Sequence, residues 1–129
     1  MTAERLSDLQ LAVLTVLWNE GEATVVRVRD SLAAERDLAP TTVATILTRL
    51  ASRGVVERRT EGRQFVYRAA VSRRDVRRSM VAQLTERLFA GDPTSLVSHL
   101  VSEGEIDADE IAALRDRIAR GDGEGNHEP

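Results

Sequence analysis

A chain of 129 residues with 42% hydrophobic content holds one or two small domains and leaves no room for a large catalytic cleft between big ones. It has no Cys and two His, which excludes disulfides and thiolate metal sites. The net charge of −3 argues against a general nucleic-acid binder only if the charge is spread evenly, and it is not. Residues 1–80 hold fourteen Arg against ten Asp and Glu, and residues 81–129 hold four Arg against eleven acids. Within 41–80 the count is ten Arg against three acids, a net +7.

The first residues, MTAERLSD, contain no apolar signal core. The longest apolar run, Leu11 to Trp18 with a Thr inside, is far too short to span a membrane. A soluble cytoplasmic protein with no membrane partner is expected.

Ser7 and Gln10 stand at capping-box spacing, and Leu6 with Leu11 forms the matching hydrophobic staple. They predict a helix from about Asp8 to Trp18 or Asn19, stopping before Gly21. Leu9, Val13, Val16 and Leu17 make one stripe and Leu11, Leu14 and Trp18 another, so this helix belongs at the centre of a domain. Thr24 caps a second helix with Val25, Val28 and Leu32 facing in and Arg27 and Arg29 facing out. A linker from Arg36 to Ala39 leads to Pro40, well placed as the first residue of a third helix.

That third helix has two distinct faces. Val43, Ile46, Leu47 and Leu50 recur at i, i+3, i+4 and i+7. Thr41, Thr45, Thr48 and Ser52 lie opposite, with Thr42 and Arg49 on the flank. Thr is a poor helix former, and a merely solvated face more often carries Glu and Lys. Short hydroxyls beside Arg can approach bases and phosphates closely: Ser and Thr bond either, the Thr methyl meets a thymine methyl, and Arg reaches guanine or phosphate. An exposed helix of a small bundle would account for the helix alone equally well.

The segment after this helix favours DNA. Arg53-Gly54 is a helix stop. Val55 to Thr60 reads as a strand, Glu61-Gly62 as a two-residue turn, and Arg63 to Ala69 as the returning strand. Phe65 and Tyr67 alternate onto one face and are expected to pack inward, while Arg58, Arg59, Arg63 and Arg68 supply positive charge. Three helices and a basic hairpin are the order of a winged helix-turn-helix, whose third helix enters the major groove.

The second half is helical. Ser72 with Asp75 begins a long helix in which Val76, Met80, Leu84 and Leu88 repeat every four residues, ending at Phe89 before Gly91. Asp92-Pro93 opens another, with Leu96, Val97, Leu100 and Val101 apolar, and Asp107 with Glu110 caps a third containing Ile111, Leu114 and Ile118. So few residues cannot bury these stripes alone. The expectation is a homodimer formed through these helices, whose two recognition helices would meet a palindromic site; the alternative is that they fold back onto the N-terminal domain. The fold class is thus mainly α with a small β-hairpin wing: a winged-helix DNA-binding domain at 1–71, a helical dimerisation domain at 72–120 and a disordered tail at 121–129.

No catalytic group, metal or cofactor is expected. His99 and His127 are too few and badly placed, no Gly-rich phosphate loop exists, and the acids of 103–110 read as helix caps. Two other classes stay open: a winged helix used as a protein-interaction module, which would not need the concentrated charge, and a DNA-binding regulator sensing a ligand directly.

Three segments, LSDLQLAVLTVLW, LAPTTVATILTRLASRGVVERR and EGRQFVYRA, together resemble the BlaI/MecI/CopY family of bacterial repressors, and the likeness runs on to DADEIAALRDRI. The resemblance implies a homodimer that binds double-stranded operators with TACA/TGTA half-sites and represses β-lactam-response or related resistance and stress genes. Thr41, Thr42, Thr45 and Arg49 match the family's recognition-helix contacts, and Arg63 matches its wing Arg. The copper-responsive branch carries a Cys-rich site that this chain lacks. In the β-lactam-responsive branch an inducing protease cuts an Asn-Phe bond, and the matching pair here is His99-Leu100. That departure leaves the trigger open, with loss of the dimer as the expected route of release.

Overall fold

The computed structural model describes residues 5–121. The chain order is α1 (Asp8–Glu20), α2 (Val25–Leu32), α3 (Pro40–Ser52), β1 (Val56–Glu61), β2 (Gln64–Ala69), α4 (Arg73–Phe89), α5 (Pro93–Ser102) and α6 (Ala108–Ala119). All but Gly121 of the tail expected at 121–129 lies outside the described residues, His127 with it. No helix among them is long and apolar enough to cross a membrane.

Local rules account for the helix ends. Ser7 Oγ accepts from the Gln10 amide at 3.1 Å, and Gln10 Oε1 accepts from the Ser7 amide at 2.9 Å. Thr24 Oγ1 accepts from the Arg27 amide at 3.2 Å. The N-cap of α3, Ala39, has no side chain to offer, and Pro40 follows it at a position where no N–H is needed. At the other end Gly54 takes φ 79°, its amide bonds Ala51 O, and the Val55 amide bonds Leu50 O at 2.9 Å. This crossed pair satisfies two terminal carbonyls and turns the chain sharply into β1.

Packing divides the described chain into two compact units, residues up to Arg77 and residues from Arg78. The first has a continuous core. Val13, Leu14 and Leu17 of α1 meet Val28 of α2, Val43, Leu47 and Leu50 of α3, and Val55, Val56 and Tyr67 of the hairpin, all buried. Burial on more than one side of α1 places it at the centre, as its two stripes predict. The division falls inside α4 because the start of that helix and the segment leading into it are tied to α1: Trp18 Nε1 donates to Val71 O at 2.9 Å, and Arg73 lies over the indole while donating to Asn19 Oδ1. Val76 is only 2% exposed. It belongs to the core of the first unit and is withdrawn from the dimer residues.

β1 and β2 pair antiparallel, with Glu61 opposite Gln64 and Glu57 opposite Arg68. The loop is therefore Gly62-Arg63, one residue beyond the expected Glu61-Gly62. Gly62 has φ 66° at the first central position, where a two-residue II′ loop requires glycine. The other edge of β2 is covered by Ala23, which exchanges two 2.9 Å backbone bonds with Tyr67. Tyr67 packs inward, but Phe65 does not; it is 42% exposed, because the core ends at Tyr67 and the hairpin runs on past it.

In the second unit α5 and α6 start at capping Asp92 and Asp107. Thr85 is its only buried residue among those described, its hydroxyl bonded to Val81 O at 2.7 Å. Val81, Leu84 and Leu88 on α4, Val97 and Val101 on α5, and Leu114 and Ile118 on α6 are all exposed, Leu88 at 69% and Ile118 at 76%. Met80, Leu96, Leu100 and Ile111 are half-buried.

Candidate nucleic-acid interface

Burial of Val43, Leu47 and Leu50 leaves α3 one rotational setting, and the face turned outward is the one rich in hydroxyls. Thr41, Thr42, Thr45, Thr48 and Arg49 are all exposed. Thr45 Oγ1 donates to Thr41 O at 3.0 Å. Its hydrogen is thus engaged within the helix, and its outward side offers lone pairs and a methyl group. Thr41, Thr42 and Thr48 have no side-chain partner among the described residues, and Arg49 makes no ion pair among them.

Arg63 sits in the hairpin loop, exposed and without a carboxylate partner among the described residues. Arg59 and Arg68 differ. Arg59 bonds Glu22 at 3.0 Å and Glu61 at 3.3 Å, and Arg68 bonds Glu57 at 2.7 Å. The hydrogen bond to Glu22, then that to Glu61, holds the Arg59 guanidinium above its ordinary pKa. The hairpin's free positive charge is therefore smaller than its four Arg suggest. The Glu57–Arg68 pair is readable from sequence once the loop is placed at Gly62-Arg63; the Glu22–Arg59 pair is not, since the two lie 37 positions apart.

The dimer residues proposed from sequence lie apart from this surface in the chain, on α4, α5 and α6. His99 and Leu100 lie inside α5, His99 exposed with its ring 5.7 Å from that of Phe89, and Leu100 half-buried. No group of three metal-ligating side chains comes together among the described residues.

The sequence model of the penicillinase repressor family matches residues 6–120. The chain belongs to the penicillinase repressor family. Among similar proteins, the transcriptional regulator BlaI of Mycobacterium tuberculosis is 40% identical over 129 aligned positions, covering 97% of this chain and 91% of that one. The methicillin resistance regulatory protein MecI of Mammaliicoccus sciuri is 26% identical over 110, covering 85% and 89%. Among solved structures, the DNA-binding domain of the repressor BlaI superposes with a TM-score of 0.51 at 30% identity, covering 58% of this chain and 93% of that domain. This penicillinase repressor family member thus has a winged-helix fold, with α3 as its third helix and the β1-β2 hairpin as its wing.

Proposed function

We propose that this chain is a homodimeric transcriptional repressor, acting in the cytoplasm, that binds palindromic TACA/TGTA-type operators and controls β-lactam-response or related resistance and stress genes. The observation that carries the reading is the outward face of α3, where four Thr and Arg49 stand exposed opposite the buried Val43, Leu47 and Leu50. Thr45, with Thr41, Thr42, Thr48 and Arg49 around it, reads base edges, and Arg63 grips a phosphate beside them. The family membership and the name of its BlaI relative support regulation of transcription.

Removing Arg63 tests the backbone contact. A phosphate contact carries no sequence information, so Arg63→Ala should weaken operator and random DNA alike. The slope of log K against log salt should fall by about one for each subunit engaged. A loss confined to the operator would make Arg63 a base reader instead.

The dimer rests on the exposed apolar side chains of the second unit. Seven large ones face solvent there, in stripes such as Val81, Leu84 and Leu88, a pattern that a partner surface covers. Met80, Leu96, Leu100 and Ile111 complete the proposed interface.

Release follows from loss of that dimer. A protease cut at or near His99-Leu100 would separate part of α5 and all of α6 from α4. The bond lies within a helix, with His99 O accepting from the Glu103 amide and Leu100 O from the Glu105 amide, so cleavage requires α5 to open locally first. Immunoblotting of induced cells beside operator footprinting tests this: cleaved chain should accumulate as the operator empties. Intact dimer at full level over a vacated operator would contradict it.

A further inference from the structure

The register sorts the hairpin's charged side chains onto two faces. Glu57, Arg59, Glu61 and Arg68 share one with Val66, and there both Arg are held by carboxylates. Val56, Arg58, Thr60, Phe65 and Tyr67 share the other. At its base Val56 and Tyr67 are buried; toward the loop it carries the exposed Phe65, with Arg58 Cζ 4.1 Å from the ring centroid. The Phe65 ring in turn meets the buried Tyr67 edge-on, centroids 6.2 Å apart at 71°.

This arrangement orders a cation without neutralising it. Tyr67 is fixed by the core, Phe65 leans on Tyr67, and the Arg58 guanidinium lies over Phe65. A guanidinium that uses its π-face on a ring keeps its in-plane N–H donors for another partner. Arg58 has no carboxylate partner among the described residues, a property it shares with Arg63. Phosphate is attracted to the Arg58 face and finds Glu57 and Glu61 on the opposite one.

We propose that Arg58, seated on Phe65, is a second DNA-backbone contact of the wing, acting with Arg63, and that Phe65 is its positioning residue. This rests on the operator-binding function proposed for the chain. The hairpin then meets DNA with the Phe65 face and its loop, and the carboxylate-paired face stays in solvent.

The test uses the full chain and titrations over a range of salt on a palindromic duplex and a scrambled one. Arg58→Gln should lower affinity for both about equally and reduce the salt slope by about one per engaged subunit. Arg68→Gln, which removes a cation already held by Glu57, should leave the slope unchanged. Phe65→Leu keeps every charge, so the slope should persist while affinity drops about two- to fivefold. A role confined to bracing the hairpin would lower the unfolding temperature of Arg58→Gln and leave its slope at the wild-type value, and that result overturns the proposal. Unchanged affinity in Phe65→Leu overturns the positioning role. Should the wild-type chain itself show no salt-sensitive binding, the operator reading fails and this inference falls with it; a salt-sensitive wild type whose slope the Arg58 variant keeps unchanged refutes this inference alone.

Discussion

Leu84→Asp should yield monomers that hold the operator about 10²- to 10⁴-fold more weakly than the parent chain, because two linked half-site contacts lose their shared avidity. Leu84 lies on the α4 stripe with Val81 and Leu88 and is exposed in the single chain. In the monomer an Asp there simply faces water, and a surface substitution of this kind costs within about 0.5 kcal/mol, plus a small helix-propensity penalty. In the proposed dimer each copy would instead bring a carboxylate into a dry interface, at several kcal/mol per charge on the order-of-magnitude scale for buried ions. The substitution therefore strikes association and leaves the first unit folded, since the core of Leu14, Leu47 and Tyr67 lies in that unit. Light scattering after size exclusion gives the mass, and an operator titration gives the affinity. A variant that stays dimeric would place the interface elsewhere.

The second large effect concerns discrimination. Thr45→Met should weaken operator binding by about 1–3 kcal/mol at each half-site, the range for a base-reading contact, and leave scrambled DNA almost untouched. The bond of Thr45 Oγ1 to Thr41 O leaves the hydroxyl as an outward acceptor suited to an adenine or cytosine amino group, with its methyl suited to thymine. Met removes the acceptor and adds bulk at the centre of the face. No charge is lost, so the salt slope should stay where it was, in contrast to Arg63→Ala. Equal losses on operator and scrambled duplexes would end the role of Thr45 as a base reader.

Much of the architecture was legible because its signals are short-range. Ser7 with Gln10, Thr24, Pro40, Gly54, Asp92 and Asp107 mark helix ends within a few residues of where the structure has them. The buried stripe of α3, and with it the outward Thr and Arg49, follows from a single period. The hairpin was harder. An acidic residue before Gly suggests a loop at Glu61-Gly62, yet Gly62 can also stand first in the loop, and the observed register instead pairs Glu57 with Arg68 and sets Tyr67 against Ala23. Alternation places Phe65 beside Tyr67 on one face but does not say where the core stops. Ala23 acts as a strand of one residue, too short for any pattern. In α4 the four-residue repeat runs through Val76 and Leu84 alike, and only tertiary packing assigns the first to the core and the second to the surface. The charge count likewise overstates the wing, because Glu22 reaches Arg59 across a sequence distance that no local rule spans.

The most direct test of operator recognition is a titration of the purified chain against a duplex carrying a TACA/TGTA palindrome and against a scrambled duplex, each at two salt concentrations. Two recognition helices reading bases from a dimer predict tight binding, strong preference for the palindrome, and affinity that falls steeply as salt rises. Equal and weak binding to both duplexes would contradict it, and would leave a winged helix whose outward face serves something other than this operator.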